Sequence, residues 1–193
     1  MLKMRIAEKI DIPLIAAHNC AMAMETENKM LDPKVATLGV EGLFTRPHFG
    51  FYLVADVDQM SAATLMVTYE WSDWRNGLFW WIQSVYVKEE FRRQGLYSAM
   101  YEQLKVMAAE SETPVCGFRL YAENENIAAQ ATYKKCGMHV HVSNSPVKAG
   151  QVCAFNAASK RLRHGRYLSD IHTNDVWFDD PINSLLVWDV CCR

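Results

Sequence analysis

The 193-residue sequence has little of several features that would point to a particular class of protein. It has no apolar run near the ~20 residues that span a bilayer, so we expect no membrane helix. Its formal net charge is only -2, which gives no electrostatic support for nucleic-acid binding. Its six cysteines include no C-x-x-C pair, which favours free thiols in a reducing compartment. Because the first residues are charged and unlike a secretory signal, we predict a cytoplasmic protein.

The sequence has the composition of a globular domain, and its first half shows a clear change of period. Half of the residues are apolar and 22% are charged, and the length suits one domain. Residues 3–7 predict a first strand. Asp11 and Asp32 each stand just before a proline and predict the N-caps of two helices, at 12–30 and 33–44. Aromatic and β-branched runs then predict three antiparallel strands, at 50–56, 62–71 and 78–87.

From residue 96 the period becomes helical again. Five apolar side chains fall on one face of this predicted helix: Leu96, Met100, Leu104, Met107 and Ala108. A strand at 115–122, a helix at 126–137 and a strand at 138–142 follow. The β–α–β step through this helix implies a parallel crossover, so residues 1–142 predict a single α/β domain with a mixed sheet flanked by helices.

Residues 143–193 form a C-terminal extension that this pattern does not include. The apolar stretch near 185–190 is consistent with a last strand of the sheet, and a loosely packed tail is the alternative. The basic run 160–166 is most simply a solvated segment.

The stretch "RRQGLYS", residues 92–98, places two arginines and a glycine at the start of the helix. A strand, a tight basic loop and a helix N-terminus point successive backbone N–H groups into one concavity, which suits a pyrophosphate. Gly95 allows close approach of the backbone to a ligand. No G-K-[ST] follows, so the motif is not a P-loop, and a solvated basic turn is the alternative interpretation.

A second motif changes the balance between these interpretations. The first motif, [Q/R]-x-x-G-x-[G/A], is matched by Arg92 and Gly95, with Tyr97 in place of the last small residue. The second motif, N-x-x-A-x-x-x-Y-x-x-x-G, is matched by Asn126, Ala129, Tyr133 and Gly137. With both motifs in this order, residues 3–142 resemble the GNAT superfamily of acyl-CoA-dependent N-acyltransferases.

The resemblance implies acetyl-CoA as co-substrate, held in a V between splayed central parallel strands at 82–88 and 115–121. Backbone amides of 93–98 would bind the pyrophosphate, and the strand edge at 85–87 would pair with the pantetheine. We predict no metal site, since the one candidate histidine pair has no third ligand nearby. The cofactor-binding residues would be Val85, Tyr86, Val87, Arg92, Arg93, Gln94, Gly95, Leu96, Tyr97, Ser98, Asn126 and Tyr133.

Acyl transfer to an amine requires that the acceptor lose a proton and that the leaving thiolate gain one. We expect Tyr133 to be the acid, because the resemblance places it near the sulfur. Many relatives carry a glutamate where this sequence has Gln83, which cannot take a proton. The base is therefore sought among other carboxylates, with Glu27 and Glu70 ranked before Glu25 and Asp73. A water chain without a single essential base is the alternative.

The aromatic stretch 69–83, with four tryptophans, predicts either a wall for a protonated amine or a buried face of the sheet. His139 and His141 share a strand face but have no third ligand nearby, which favours a structural pair.

From the two motifs and the candidate acid and bases, we predict an N-acetyltransferase acting on a small, cationic amine by direct transfer, with a homodimer plausible. The alternatives are a catalytically silent acyl-CoA-binding or protein-interaction module, and acetylation of protein N-termini or lysines.

Overall fold

The structure is a computed structural model that describes residues 1–123, 126–142 and 151–157. Its strands and helices, in chain order, are β1 (Leu2–Ile6), α1 (Ile12–Glu27), α2 (Pro33–Phe44), β2 (Gly50–Val57), β3 (Met60–Ser72), β4 (Gly77–Val87), α3 (Leu96–Glu110), β5 (Val115–Glu123), α4 (Ile127–Lys135), β6 (His139–Val142) and β7 (Gln151–Ala157). The seven strands form one mixed sheet in the order β1-β2-β3-β4-β5-β7-β6. The predicted α/β fold with helices around a mixed sheet is confirmed.

Strands β2, β3 and β4 form the predicted antiparallel meander, and β1 pairs antiparallel with β2 at its edge. The β3–β4 hairpin closes at Asn76, whose φ of 47° is the left-handed conformation that asparagine tolerates. Gly77 follows at a close contact, because a Cβ there would lie 2.6 Å from the Pro114 carbonyl oxygen. This turn therefore brings the start of β4 directly against the start of β5.

The two predicted helix caps have different outcomes. The Asp32 side chain accepts a hydrogen bond from the Lys34 backbone N–H at 2.8 Å, so this cap is confirmed. Asp11 is the N-cap residue of α1, as predicted, but its side chain makes no capping hydrogen bond to this helix. Its buried carboxylate instead accepts two hydrogen bonds from Arg5, at 2.7 and 2.9 Å, which hold the pKa of Asp11 below its usual value. Asp11 thus ties β1 to the start of α1.

Helix α1 ends at Glu27, three residues before the predicted end. Asn28 takes the left-handed conformation, with a φ of 50°, and its backbone N–H bonds to the Met24 carbonyl oxygen at 3.1 Å. An asparagine in this conformation is a common helix stop.

The helices cover the two faces of the sheet unequally. Helices α3 and α4 pack on a large apolar core, and the predicted apolar face of α3 is confirmed, with Leu96, Met100 and Leu104 all buried. Helices α1 and α2 cover a smaller core on the other face, over Tyr52 and Val54. The part of this second face that lies over β3, β4 and β5 carries polar and aromatic side chains, which are described below.

The sheet extends past residue 142 by one strand that the sequence did not predict. Strand β7 lies between β5 and β6 and pairs antiparallel with both. The predicted strand at 185–190 and the basic run at 160–166 lie outside the described residues. In the part of the chain that the structure describes, no helix is long and apolar enough to cross a membrane.

Candidate active site

Strands β4 and β5 run parallel but separate part-way along their length. Their pairing begins at Leu78 and Val115 and ends at Trp81 and Arg119. Strand β4 then continues to Val87 and β5 to Glu123, with no further pairing between them in the described residues. The backbone groups of 82–87 that would face β5 in a continuous sheet therefore border an open V. The predicted splay is present and begins directly after Trp81 and Arg119.

A β-bulge in β4 accompanies this separation. Met66 pairs with Gln83 and Thr64 with Tyr86, so two steps on β3 oppose three steps on β4. Ser84 takes a φ of 49° inside this bulge. Because a bulge bends its strand and increases the local twist, it directs the second half of β4 away from β5. It also puts Gln83 and Tyr86 on the same face of the sheet, the one that α1 covers in part.

The loop between β4 and α3, residues 88–95, has the geometry of an anion cradle. Arg93 and Gly95 both take left-handed conformations, with φ of 62° and 79°. Within the described ranges, none of the six backbone N–H groups of residues 93–98 donates a hydrogen bond to the protein. A Cβ on Gly95 would meet no heavy atom within 4 Å, so the space beside it is open. Free amides, an open approach and a helix N-terminus together favour an anionic group here.

The polar side chains of this loop differ in what they contact. Arg92 Nε donates to the Val87 carbonyl oxygen at 2.8 Å, and its Nη2 donates to Glu25 Oε2 at 2.5 Å. Gln94 Nε2 donates to the Glu90 carbonyl oxygen at 2.9 Å. Arg93 is exposed. The guanidinium of Arg92 is thus largely engaged by the protein, and Arg93 is the better placed of the two arginines to face a ligand.

Tyr97, which stands at the last position of the first motif in place of a small residue, points into the core. Its side chain is 9% exposed and its ring packs 5.1 Å from the ring of Tyr133 and 6.4 Å from that of Tyr101. Burial raises the pKa of Tyr97 well above its ordinary value. The large side chain therefore does not crowd the free amides of the loop.

Tyr133 lies on α4 and faces α3. It is 9% exposed, and burial, with a smaller contribution from Cys136, raises the pKa of Tyr133 to about 12. Its hydroxyl is therefore protonated at neutral pH and can act as a donor. One turn later, the Cys136 thiol lies 3.7 Å from Ser98 Oγ, which joins the end of α4 to the start of α3.

Asn126 has a structural role that the motif alone did not reveal. It is the N-cap of α4, and its Oδ1 accepts a hydrogen bond from the Ala129 backbone N–H at 3.0 Å. Two residues of the motif are thus joined by a cap. The Asn126 side-chain NH₂ group is not used by this bond.

Glu70 lies on the face of the sheet that α1 and α2 leave open. Its Oε1 accepts from Arg119 Nη1 at 2.8 Å and its Oε2 accepts from Trp81 Nε1. The Trp81 ring stacks on Tyr121 at 4.9 Å. Trp80, the next residue of β4, is buried on the opposite face, so only one of the two adjacent tryptophans is in the core. Arg119 was not predicted; its signal was a charge in an otherwise apolar strand.

The other candidate carboxylates differ in position and in what they contact. Glu27 is the last residue of α1 and is exposed. Asp73 accepts a hydrogen bond from the Trp74 backbone N–H at 2.9 Å within the hairpin turn. Glu25 Oε1 accepts from the Tyr86 hydroxyl at 3.0 Å, in addition to its bond with Arg92. The structure therefore joins Glu25, Tyr86 and Arg92 by hydrogen bonds, and it places Glu27 at the end of α1 and Glu70 in β3.

His18 is a buried residue near this site that sequence reasoning missed. It is 4% exposed, its Nδ1 lies 3.0 Å from Thr64 Oγ1, and its ring lies 4.9 Å from that of Tyr86. Its Nε2 has no hydrogen-bond partner among the described residues. Burial, aided by Lys88, lowers the pKa of His18 to about 4, so the ring is neutral at pH 7. One histidine in a helix carries no periodic signal, so only the packing identifies it.

Comparison with known proteins places this arrangement among acetyltransferases. The profile of the acetyltransferase (GNAT) family matches residues 20–138. The chain is 43% identical to a possible acetyltransferase from Clostridium difficile 630, with a TM-score of 0.68, and the match covers 75% of this chain and 95% of that one. No curated protein matches the sequence significantly.

Two more distant structures show the same fold. A GNAT-family acetyltransferase from Streptococcus pneumoniae is 17% identical, with a TM-score of 0.62, over 82% of this chain and 100% of that chain. RimL, a ribosomal alpha-N-protein acetyltransferase solved in complex with coenzyme A, is 14% identical, with a TM-score of 0.61, over 81% of this chain and 93% of that chain.

Proposed function

The chain belongs to the acetyltransferase (GNAT) family and is an acyltransferase, and on that basis we propose that it transfers an acetyl group from acetyl-CoA directly to the amino group of a small, cationic amine. The observation that carries the proposal is the set of six free backbone N–H groups beside the open V of β4 and β5. A pyrophosphate at the amides and a pantetheine arm in the V would satisfy backbone groups that have no partner among the described residues.

The cofactor would use both halves of the site. The amides of 93–98 would hold the pyrophosphate, with the Arg93 side chain adding charge and donors. The edge at 85–87 would pair with the pantetheine amides in the manner of an added strand. The Asn126 side-chain NH₂ group, which its capping bond leaves available, would reach the same arm.

The chemistry requires two proton transfers. An alkylammonium has a pKa of about 10.4, so roughly one amine in a few thousand is neutral at pH 7. The neutral nitrogen would attack the thioester carbonyl carbon, and the C–S bond would then break. Tyr133 would give its proton to the departing sulfur. The proton lost by the amine would pass, directly or through water, to Glu70 or Glu27.

Glu70 retains the capacity for this role despite its two hydrogen bonds. A carboxylate offers about four lone-pair positions, and Arg119 and Trp81 occupy two of them. The stacked rings of Trp81 and Tyr121 beside this carboxylate support a cationic acceptor, because aromatic faces attract ammonium groups. A homodimer and a cytoplasmic location stay predictions.

The test is calorimetry of the purified protein with acetyl-CoA, with Arg93→Glu as the informative variant. We expect wild type to bind, and Arg93→Glu to weaken binding by about tenfold or more, because a charged hydrogen bond becomes a repulsion. Lys105→Glu, a charge reversal further along α3, is the matched control and should bind as wild type does. A panel of amines assayed for CoA release then identifies the acceptor. A folded wild type that binds no acetyl-CoA would overturn the proposal.

A further inference from the structure

We propose that Glu25 is a positioning residue that couples the β4–α3 loop to helix α1 through Arg92 and Tyr86. The proposal rests on the proposed function, because it takes residues 93–98 as the site of the CoA pyrophosphate. Neither the family match nor the sequence motifs assign Glu25 a role in cofactor binding.

The first step is the position of Arg92. Its Nε donates to the last carbonyl of β4, that of Val87, at 2.8 Å, while its Nη2 donates to Glu25 on α1 at 2.5 Å. Arg92 immediately precedes the left-handed residue Arg93, where the free amides begin. The direction of the guanidinium therefore affects the conformation of the loop at the point where the cradle starts, and Glu25 holds one end of that guanidinium.

The second step is Tyr86, which lies just after the bulge in the splayed half of β4. Its hydroxyl donates to Glu25 Oε1 at 3.0 Å, and its ring packs against the buried ring of His18. Burial, together with the Glu25 carboxylate, raises the pKa of Tyr86 and keeps this hydroxyl a donor. Glu25 thus binds the strand edge with one oxygen and the loop with the other.

The negative charge of Glu25 and its hydrogen bonds have opposite expected effects on CoA affinity. A carboxylate near a pyrophosphate site repels the ligand, so a purely electrostatic view expects that removing Glu25 tightens CoA binding. If Glu25 instead positions Arg92 and Tyr86, its removal loosens the loop and weakens binding. The two views predict opposite directions for the same substitution.

Calorimetry with CoA distinguishes these directions. We expect Glu25→Gln and Arg92→Gln each to weaken CoA binding by about fivefold, and the double variant to bind no more weakly than Arg92→Gln, as for residues in one network. Glu90→Gln removes a negative charge from the β4–α3 loop itself without touching the network and should bind CoA as tightly as wild type or more tightly. Tyr86→Phe, which keeps the ring on His18, should give part of the loss.

Hydrogen exchange provides a readout that does not depend on the acceptor. In wild type and in Glu90→Gln, CoA should slow amide exchange at residues 23–29, which comprise the last turn of α1 and the two residues that follow it. In Glu25→Gln, CoA at a saturating concentration should leave exchange in this turn unchanged.

The coupling is overturned if Glu25→Gln binds CoA as well as wild type or better, if the losses in the double variant add, or if CoA slows α1 exchange equally in Glu25→Gln and wild type. Each of these results leaves the proposed function intact, because wild type still binds CoA. Failure of wild type to bind CoA is a separate result that removes the proposed function.

Discussion

The two halves of β4 have different neighbours in the sheet. Residues 78–81 pair with both β3 and β5, and Trp80 packs edge-on against Phe118 in the main core. Within the part of the chain that the structure describes, residues 82–87 pair only with β3, across a bulge, and border the V. In the first half the backbone groups are satisfied within the sheet, which stabilises the fold. In the second half the bulge removes one neighbour, which leaves backbone groups for a ligand.

This difference shows how one strand can serve as both scaffold and site. The paired half fixes where β5 begins, and therefore fixes the point from which the V opens. The splayed half needs cover from elsewhere, which α1 supplies through His18 against Tyr86. A substitution in the paired half should therefore reduce stability, whereas one beside the splayed half should reduce binding or catalysis first.

The largest effect should come from breaking the paired half. In Gly77→Val, the new Cβ would lie 2.6 Å from the Pro114 carbonyl oxygen and 2.7 Å from Cys116 Sγ, so the backbone must move. We expect the free energy of unfolding to fall by about 3 kcal/mol, measured by urea denaturation. Gly39→Val, on α2 in open space, is the control. An unchanged midpoint for Gly77→Val would mean that the strand ends adjust freely.

The next largest effect should be a fall in catalytic rate, at the site beside the splayed half of β4. Tyr133→Phe removes the hydroxyl and keeps the ring that packs on Tyr97, so we expect kcat to fall about a hundredfold with little change in the Kd for acetyl-CoA. Because the Tyr133 pKa is about 12, wild-type kcat should show no loss from its ionisation below pH 10. Rates in single turnover provide the measurement. A variant with wild-type kcat would assign the proton to another donor.

A smaller effect should come from His18, which packs against Tyr86 in the splayed half of β4. Folded His18 has a pKa of about 4, against about 6.5 in an unfolded chain. The unfolded state therefore binds the proton first, and wild-type stability falls as the pH drops from 6.5 towards 4. This dependence should amount to roughly 2 kcal/mol at pH 4.5.

His18→Gln should lack this part of the acid dependence when urea unfolding is compared at pH 7 and pH 4.5. His48→Gln, at an exposed histidine, should keep the wild-type dependence. The assignment to His18 would be wrong if both variants lost stability equally between these two pH values.

The smallest effect should come from Glu70, at the boundary between the halves. Glu70→Gln should lower kcat/KM for the amine by about tenfold and remove the acidic limb of its pH–rate profile. Glu27→Gln is measured beside it, since either carboxylate could take the proton. If both profiles match that of wild type, a water chain would be the better account of proton removal.

Much of the fold could be predicted because its signals are local. The Asp32 cap, the Asn76-Gly77 hairpin and the apolar face of α3 each depend on residues a few positions apart. The family resemblance likewise depended on two motifs with fixed spacing, at 92–97 and 126–137. β7 was missed, because no local signal showed that residues 151–157 would fill the place between β5 and β6.

The sequence by itself determined the order of strands and helices as far as β6, the basic glycine loop before α3 and the family. Tertiary structure alone decided that the Asp11 side chain binds Arg5 and makes no capping bond to α1, that Tyr97 points into the core, and that Glu25 meets Arg92 from 67 residues away. The physical reason is the sequence separation between the residues that interact. Turns, caps and periodic faces are stabilised within a few residues, whereas a carboxylate takes the partner that the packing of distant elements brings within hydrogen-bond distance.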